Sequence, residues 1–300
     1  MEFKRGDSNR ITRDYFESIL LEMHLIDSVI ANSELTLYNK TFKTPVMTAA
    51  LSHLGNVRKN GMVEMAMGAT QAGAVTWAGM GDMEEMDEMV QTGASVVKII
   101  KPYQDNDEII RRIKKAEDGG AFAVGMDIDH AFTSAGEYDE IHGLAMRPKT
   151  KAELQSFVNA TQLPFIIKGV LSREDAAKCL DIGVQGLLIS HHHGIMDYAV
   201  PPLKILPEIF KETKGNIPLF VDCSIESGMD VYKCLALGAT AVCAGRIIMD
   251  PLKENGHIGV MNTIESMTSE LKGAMSRTGA SKLSEINSSV LWTLQGKYDS

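Results

Sequence analysis

The chain has no long hydrophobic run: none of its 300 residues falls in a stretch approaching the roughly 18 to 20 apolar residues of a membrane span. Its start, MEFKRGDSNRITRDYFE, lacks the apolar core of a secretory leader, so cytoplasmic residence is expected. Excess positive charge is also missing. A net charge of −9 and a pI near 5.4 argue against general binding of nucleic acid or an anionic membrane, because either needs a concentrated basic face. Cysteine is scarce, and Cys179, Cys223, Cys234 and Cys243 have neither CxxC spacing nor the density of a disulfide scaffold. Three of them sit in apolar contexts as small core residues. Cys223 instead follows Asp222 at a strand end, with no activating partner adjacent in sequence. No linker rich in Pro, Gly or Ser divides the chain, so a single domain is expected over residues 1–300.

What is present is a regular alternation of short β-rich runs with amphipathic helical segments. The runs are PVMTAA from Pro45, GAVTWAG from Gly73, SVVKIIK from Ser95, AFAVGMDID from Ala121, PFIIKG from Pro164, GLLISHH from Gly186, IPLFVDCS from Ile217 and AVCAGR from Ala241. Their continuous apolar character implies burial on both faces, hence a parallel sheet covered by helices. Eight βα repeats, with no GxGxxG after the first run at Ala50, predict a (β/α)8 TIM barrel over 45–252 rather than a doubly wound sheet. Ahead of it, ITRDYFESILLEMHLI reads as one helix, and LTLYNKTFK as a hairpin turning at Asn39-Lys40 that plugs the barrel bottom; together they make up 1–44. The tail, 253–300, reads as polar and helical, with LSEINSS as an exposed cap. Met80, Met83, Met86 and Met89 recur at three-residue spacing and mark core or subunit packing.

Chemistry is expected at the C-terminal strand ends. The fifth run delivers Lys168-Gly169, the sixth Ser190, His191, His192, His193 and Gly194, the seventh Asp222-Cys223-Ser224, and the eighth Gly245-Arg246. Side chains alternate along a strand, so Ser190 and His192 share one face while His191 and His193 share the other. Three adjacent histidines therefore cannot all bind one metal from a regular strand. One catalytic histidine with polar neighbours is expected, no metal is assigned, and solvated loop histidines are the competing reading. Glycine-rich loops after the seventh and eighth strands suit a phosphate, with Arg246 adding charge unless a surface ion pair with Asp250 engages it.

These motifs resemble the FMN-dependent α-hydroxy-acid oxidase and dehydrogenase family, densely from Pro164 onward and thinly from about residue 35. The carriers are KG, S-x-H, VP, LPEI, PLFVD, G-x-D-V-x-K-x-LALGA and GR. The resemblance implies FMN as cofactor, a small-molecule substrate and a homo-oligomer. It assigns His192 as the base and Lys168 as the cation that stabilises the reduced flavin. It further assigns Ala50, Leu51, Thr76, Lys98, Ser190, Asp222, Ser224, Gly245 and Arg246 to the cofactor.

The sequence also departs from the family. After the histidine, the His-Gly-x-Arg pattern with its carboxylate-clamping arginine reads His192-His193-Gly194-Ile195, and the strand-three Gln-x-Tyr pattern reads Lys98-Ile99-Ile100. The Asp-Gly-Gly-x-Arg pattern reads Asp222-Cys223-Ser224-Ile225-Glu226, and the Thr-x-Asp pattern falls among Met126, Asp127, Ile128 and Asp129. An altered substrate site is expected, with Lys101, Asp127, Asp129, His130 and His193 as its polar wall; an ion-pair cluster supporting the barrel mouth is the plainer alternative. Two other functions stay open: non-redox flavin chemistry like that of type 2 isopentenyl diphosphate isomerase, and a flavin-free barrel acting as a Schiff-base lyase through Lys168 or as a binding protein.

Overall fold

The computed structural model describes residues 5–298. Its centre is a ring of eight parallel strands: β1 (Val46–Thr48), β2 (Thr76–Ala78), β3 (Val96–Ile100), β4 (Ala123–Asp127), β5 (Phe165–Val170), β6 (Gly186–Ile189), β7 (Leu219–Val221) and β8 (Ala241–Ala244). The ladder runs from β2 round to β8 and then β1. Thr48 N–H donating to Val75 O at 3.2 Å and Gly79 N–H donating to Leu51 O at 2.7 Å join β1 to β2 and close the barrel. One helix follows each strand: α1 (Gly61–Gln71), α2 (Met83–Gln91), α3 (Asn106–Asp118), α4 (Lys151–Val158), α5 (Arg173–Asp181), α6 (Pro202–Thr213), α7 (Gly228–Ala236) and α8 (Arg246–Arg277). Side-chain caps set several starts: Ser172 accepts from Asp175 N–H, Ser227 from Asp230 N–H, and Thr150 forms a reciprocal capping box with Glu153.

The two faces of each strand do different work. Inward residues such as Met47, Trp77, Ile99, Ile166, Leu188 and Phe220 fill the barrel, and outward ones pack against the helices. The hairpin of Leu35–Leu37 and Lys40–Phe42 turns through Tyr38 and Asn39, both at positive φ, and its Leu35, Leu37 and Phe42 join the interior cluster, closing the bottom as expected. Met83, Met86 and Met89 are buried core residues of α2. All four cysteines are free.

Three boundaries differ from the sequence expectation. The N-terminal helix is short, Ser8–Glu17, because the chain turns at Ser18 and Ile19–Leu21 pairs antiparallel with Leu291–Thr293. That pairing buries Ile19 against the core, whereas continuing the helix through Met23 and Ile26 would require a partner for residues that stand exposed. The barrel has no break at residue 252: α8 runs through it to Arg277, with one kink at Gly256. Past that helix the tail is two short 3-10 turns and two short strands rather than helix.

Candidate active site

Lys168, two residues beyond the inward Ile166 on β5, points into the barrel mouth. Asp127 ends β4 on its inward face, and Asp129 lies two residues further on. β6 stops at Ile189, and His192 and His193 take left-handed φ of 47° and 56°. Simple strand alternation therefore fails after Ser190. The Ser190 hydroxyl instead accepts from His192 N–H at 3.0 Å and fixes the turn that presents the ring. His191 points outward and is structural: its Nδ1 accepts from Gly194 N–H at 2.9 Å, which leaves Nε2–H to donate to Thr12 Oγ1 at 2.8 Å.

These elements converge on one buried cluster. Lys168 Nζ lies 3.0 Å from His192 Nδ1, 3.4 Å from Asp127 Oδ1 and 3.5 Å from Asp129 Oδ2. His192 Nδ1 also lies 2.7 Å from Asp129 Oδ1, and Lys101 Nζ donates to Asp127 Oδ2 at 2.7 Å. With Asp129 as its acceptor, Nδ1 carries the imidazole proton and the Nε2 lone pair is free; Lys168 then meets Nδ1 as a close charge, not as a hydrogen-bond donor. Asp127, Asp129 and His192 are close enough together to ligate a metal, but the cation at their centre is the Lys168 ammonium. The His130 ring stacks edge-on against His192 at 4.9 Å and completes the wall.

Burial and charge set the protonation states. Burial alone would raise Asp127, but Lys168 and Lys101 outweigh it and hold this carboxyl well below its ordinary range. Burial pushes Asp129 up to about 6, with Lys168 opposing and Asp127 adding to the rise. For His192, burial works downward, yet the hydrogen bonds to Asp127 and Asp129 prevail and raise it. Lys168 is raised as well: the carboxylates overcome its burial and keep it an ammonium ion. The Cys223 thiol is pushed up, first by burial and then by Asp222, so it remains neutral beside Asp222 Oδ1 at 2.9 Å.

Beside this cluster opens a cavity of 370 Å³. Ala49, Ala50 and Leu51 give it an apolar wall, Lys168 and His192 lie at one end, and Ser224, Gly245 and Arg246 at the other. The α8 N-terminus at Gly245 has no side-chain cap and no acidic residue in its first turn, so its free N–H groups and positive dipole end are available to an anion. Arg246 donates to Asn9 Oδ1 at 3.2 Å rather than pairing with Asp250. Cys223 and Ser224 hold left-handed φ of 72° and 57° where the family pattern has two glycines.

Several assignments change. Thr76 and Lys98 lie on the outer face, alternating with inward Val75, Trp77, Val97 and Ile99. Thr76 Oγ1 bonds Thr48 Oγ1 at 2.8 Å, and Lys98 Nζ donates to Gly79 O at 2.7 Å; burial pushes this lysine down to about 8. The inward pair on this part of β3 is Ile99 and Lys101, one residue beyond the register read from sequence. Ser190 sits beneath the cavity, only 1% exposed. His193 lines the cavity, held by Asn9 Oδ1 at 2.8 Å, and does not join the polar wall around His192. Sequence reasoning found the N-terminal helix but not its place at the site. Asn9 bridges His193 and Arg246, while Arg13 makes two 2.8 Å bonds to Asp230 and one to Ser224 O at 3.0 Å. These contacts span about two hundred residues of chain, and no local signal marks them.

A TIM barrel with a lysine, a histidine and an uncapped helix N-terminus around one cavity suits a phosphate-bearing cofactor at the usual end of this fold. The model of the FMN-dependent dehydrogenase family matches residues 3–158 and 149–293, so the chain belongs to that family. It is an FMN-dependent oxidoreductase. A 2-hydroxyacid oxidase of Dictyostelium discoideum is 39% identical over 147 residues, 49% of this chain and 38% of that protein. Glycolate oxidase of Spinacia oleracea is 26% identical over 314 residues, covering 92% of this chain and 85% of that one. Among solved structures, a mandelate oxidase variant with a monooxide FMN adduct aligns at a TM-score of 0.86 and 25% identity, over 94% of this chain and 90% of that one.

The donor set fits FMN. The uncapped α8 N-terminus and Arg246 suit its phosphate, the Ala49–Leu51 wall suits a flat ring, and Lys168 stands where negative charge would collect. Asp222 and Glu226 are the acids in the lining, and Glu226, the more exposed of the two, is the one of unsuitable sign for a phosphate beside Arg246.

Proposed function

We propose that this enzyme oxidises the carbinol carbon of a small CH–OH substrate, with His192 as the general base. FMN, when bound, supplies the acceptor for the hydride equivalent. His192 Nε2 takes the hydroxyl proton, Asp129 holds the ring by Nδ1 and compensates the imidazolium, and the Lys168 ammonium offsets negative charge gained by the cofactor. The observation that carries this reading is the placement of one base and one fixed cation, 3.0 Å apart, at the same end of a cavity that fits the cofactor.

The Schiff-base alternative does not suit this geometry. A lysine nucleophile needs a free amine, and Lys168 is clamped as an ammonium between Asp127 and Asp129. The oxidase names of the relatives support oxidation over isomerisation. The test is direct. Purified protein should carry flavin absorbance that bleaches anaerobically when substrate is added, and His192→Ala should slow bleaching by about 10³-fold with FMN still bound. A colourless protein that gains no visible absorbance with added FMN would overturn the reading.

A further inference from the structure

The charges around His192 point to the kind of substrate. Two ammonium groups, Lys101 and Lys168, meet three carboxylates: Asp127 and Asp129 in contact, and Asp222 acting on Lys168 from β7. Both lysines are engaged, Lys101 at 2.7 Å from Asp127 and Lys168 at 3.4 and 3.5 Å from the two aspartates. His130 is pushed down by burial and then by Lys101 and His192, so it faces the site neutral, with Asp139 Oδ2 3.0 Å from its Nδ1. The remaining cations serve elsewhere: Arg246 is held by Asn9, Lys98 lies on the outer face, and Arg147 pairs with Glu153. Position 195, where the family pattern carries an arginine, is an isoleucine 40% exposed in the loop after His193. Lys101 and Lys168, the two cations in contact with this cluster, both have carboxylate partners, and Arg246, on the same cavity, is held by Asn9 and reserved for the cofactor phosphate.

Resting on the oxidation reading above, we infer that the group next to the reacting carbinol is uncharged: an amide, an ester or a hydroxymethyl group rather than a carboxylate. A substrate carboxylate near Lys101 would also meet Asp127, and like charges brought together in a buried site are strongly disfavoured. A neutral carbonyl or hydroxyl oxygen has no such conflict. Lys101 is buried and engaged by Asp127 at 2.7 Å behind the cavity lining, so it offers a substrate carboxylate no free charge. The reaction balances without further reagents. The substrate loses its O–H proton to His192 and its C–H hydrogen with two electrons to FMN, and its carbinol carbon becomes a carbonyl.

The experiment uses the FMN-loaded protein and sets of 2-hydroxy acid, 2-hydroxy amide, methyl ester and 1,2-diol sharing one side chain, alkyl or phenyl. Anaerobic flavin bleaching is followed for each, and calorimetry measures binding of the matching 2-oxo amide and 2-oxo acid. The neutral members should bleach the flavin at least about tenfold faster than the acid, and the oxo amide should bind at least about tenfold tighter than the oxo acid. Asp127→Asn, which removes one negative charge, should narrow both ratios; Asp222→Asn should do likewise if the first variant folds poorly. Bleaching led by the acid, or tighter binding of the oxo acid, overturns this inference alone. No bleaching by any member, with FMN bound, overturns the oxidation reading and this inference with it.

Discussion

Asp129 holds His192 only because residue 169 is a glycine. A β-carbon at Gly169 would stand 2.5 Å from Asp129 Oδ2 and 2.7 Å from its Cβ, and Gly169 itself takes a φ of +92°, which side-chain-bearing residues rarely adopt. The glycine after the strand-five lysine is thus a positioning residue for the base. Gly169→Ala should push Asp129 away from His192 and slow flavin reduction by about 100-fold, the scale expected for a displacement of about 1 Å at a reacting centre. FMN content, read from the flavin-to-protein absorbance ratio, should stay near one. Loss of FMN together with activity would instead mean that the barrel mouth had collapsed.

The pH dependence follows from the same contact. His192 is raised above its ordinary value, so the base form needed for proton abstraction accumulates only above the pH at which a free histidine titrates. The rate of flavin reduction should therefore rise with pH through an inflection above about 6.5. Stability runs the other way: a histidine raised in the folded state contributes fully below its unfolded pKa, and this contribution fades as pH rises through the folded one. Asp129→Asn removes one of the groups that raise His192 and should move the kinetic inflection to lower pH. An inflection that does not move would assign it to another group.

Cofactor retention should divide between two residues of opposite sign at the cavity rim. Arg246→Ala should weaken FMN binding by about tenfold, the loss of one charge-assisted hydrogen bond, and Glu226→Gln should tighten it. Fluorescence titration of apoprotein with FMN measures both. Equal affinity in the two variants would move the phosphate away from this rim.

Arg13 and Asp230 tie the N-terminal helix to the barrel mouth through two 2.8 Å bonds, and Asp230 is only 2% exposed. Arg13→Ala leaves that carboxylate buried without its cation, which should cost about 3 kcal/mol. Pairing it with Asp230→Ala should restore part of the loss. Thermal unfolding of the three variants checks this, and strictly additive losses would rule out the coupling.

At the other end of the barrel, Phe42→Ala empties the hairpin plug, where Phe42 packs edge-on against Phe122 at 5.6 Å. Denaturant unfolding should register about 3 kcal/mol of destabilisation, while the flavin spectrum keeps its shape because the plug lies opposite the cofactor site.

By itself, the sequence determined the features that depend on local periodicity. Continuous apolar runs such as PFIIKG and IPLFVDCS are buried on both sides and so mark parallel strands, and chemistry placed just after them marks the barrel's C-terminal rim. That was enough to bring Lys168, His192, Asp222 and Arg246 to one place, while the flavin came from the family resemblance that the motifs around them carry. Only the tertiary structure decided what depends on register and on long-range contact. A one-residue shift on β3 sends Lys98 outward and Lys101 inward, because alternate side chains face opposite sides of a strand. The left-handed turn at His192 and His193 breaks the alternation that the sequence suggested. The N-terminal helix reaches the mouth through Asn9 and Arg13, and Ile19–Leu21 becomes a strand rather than helix, because partners far along the chain supply the burial and hydrogen bonds there. Local propensity carries no record of such partners, and tertiary packing overrides it.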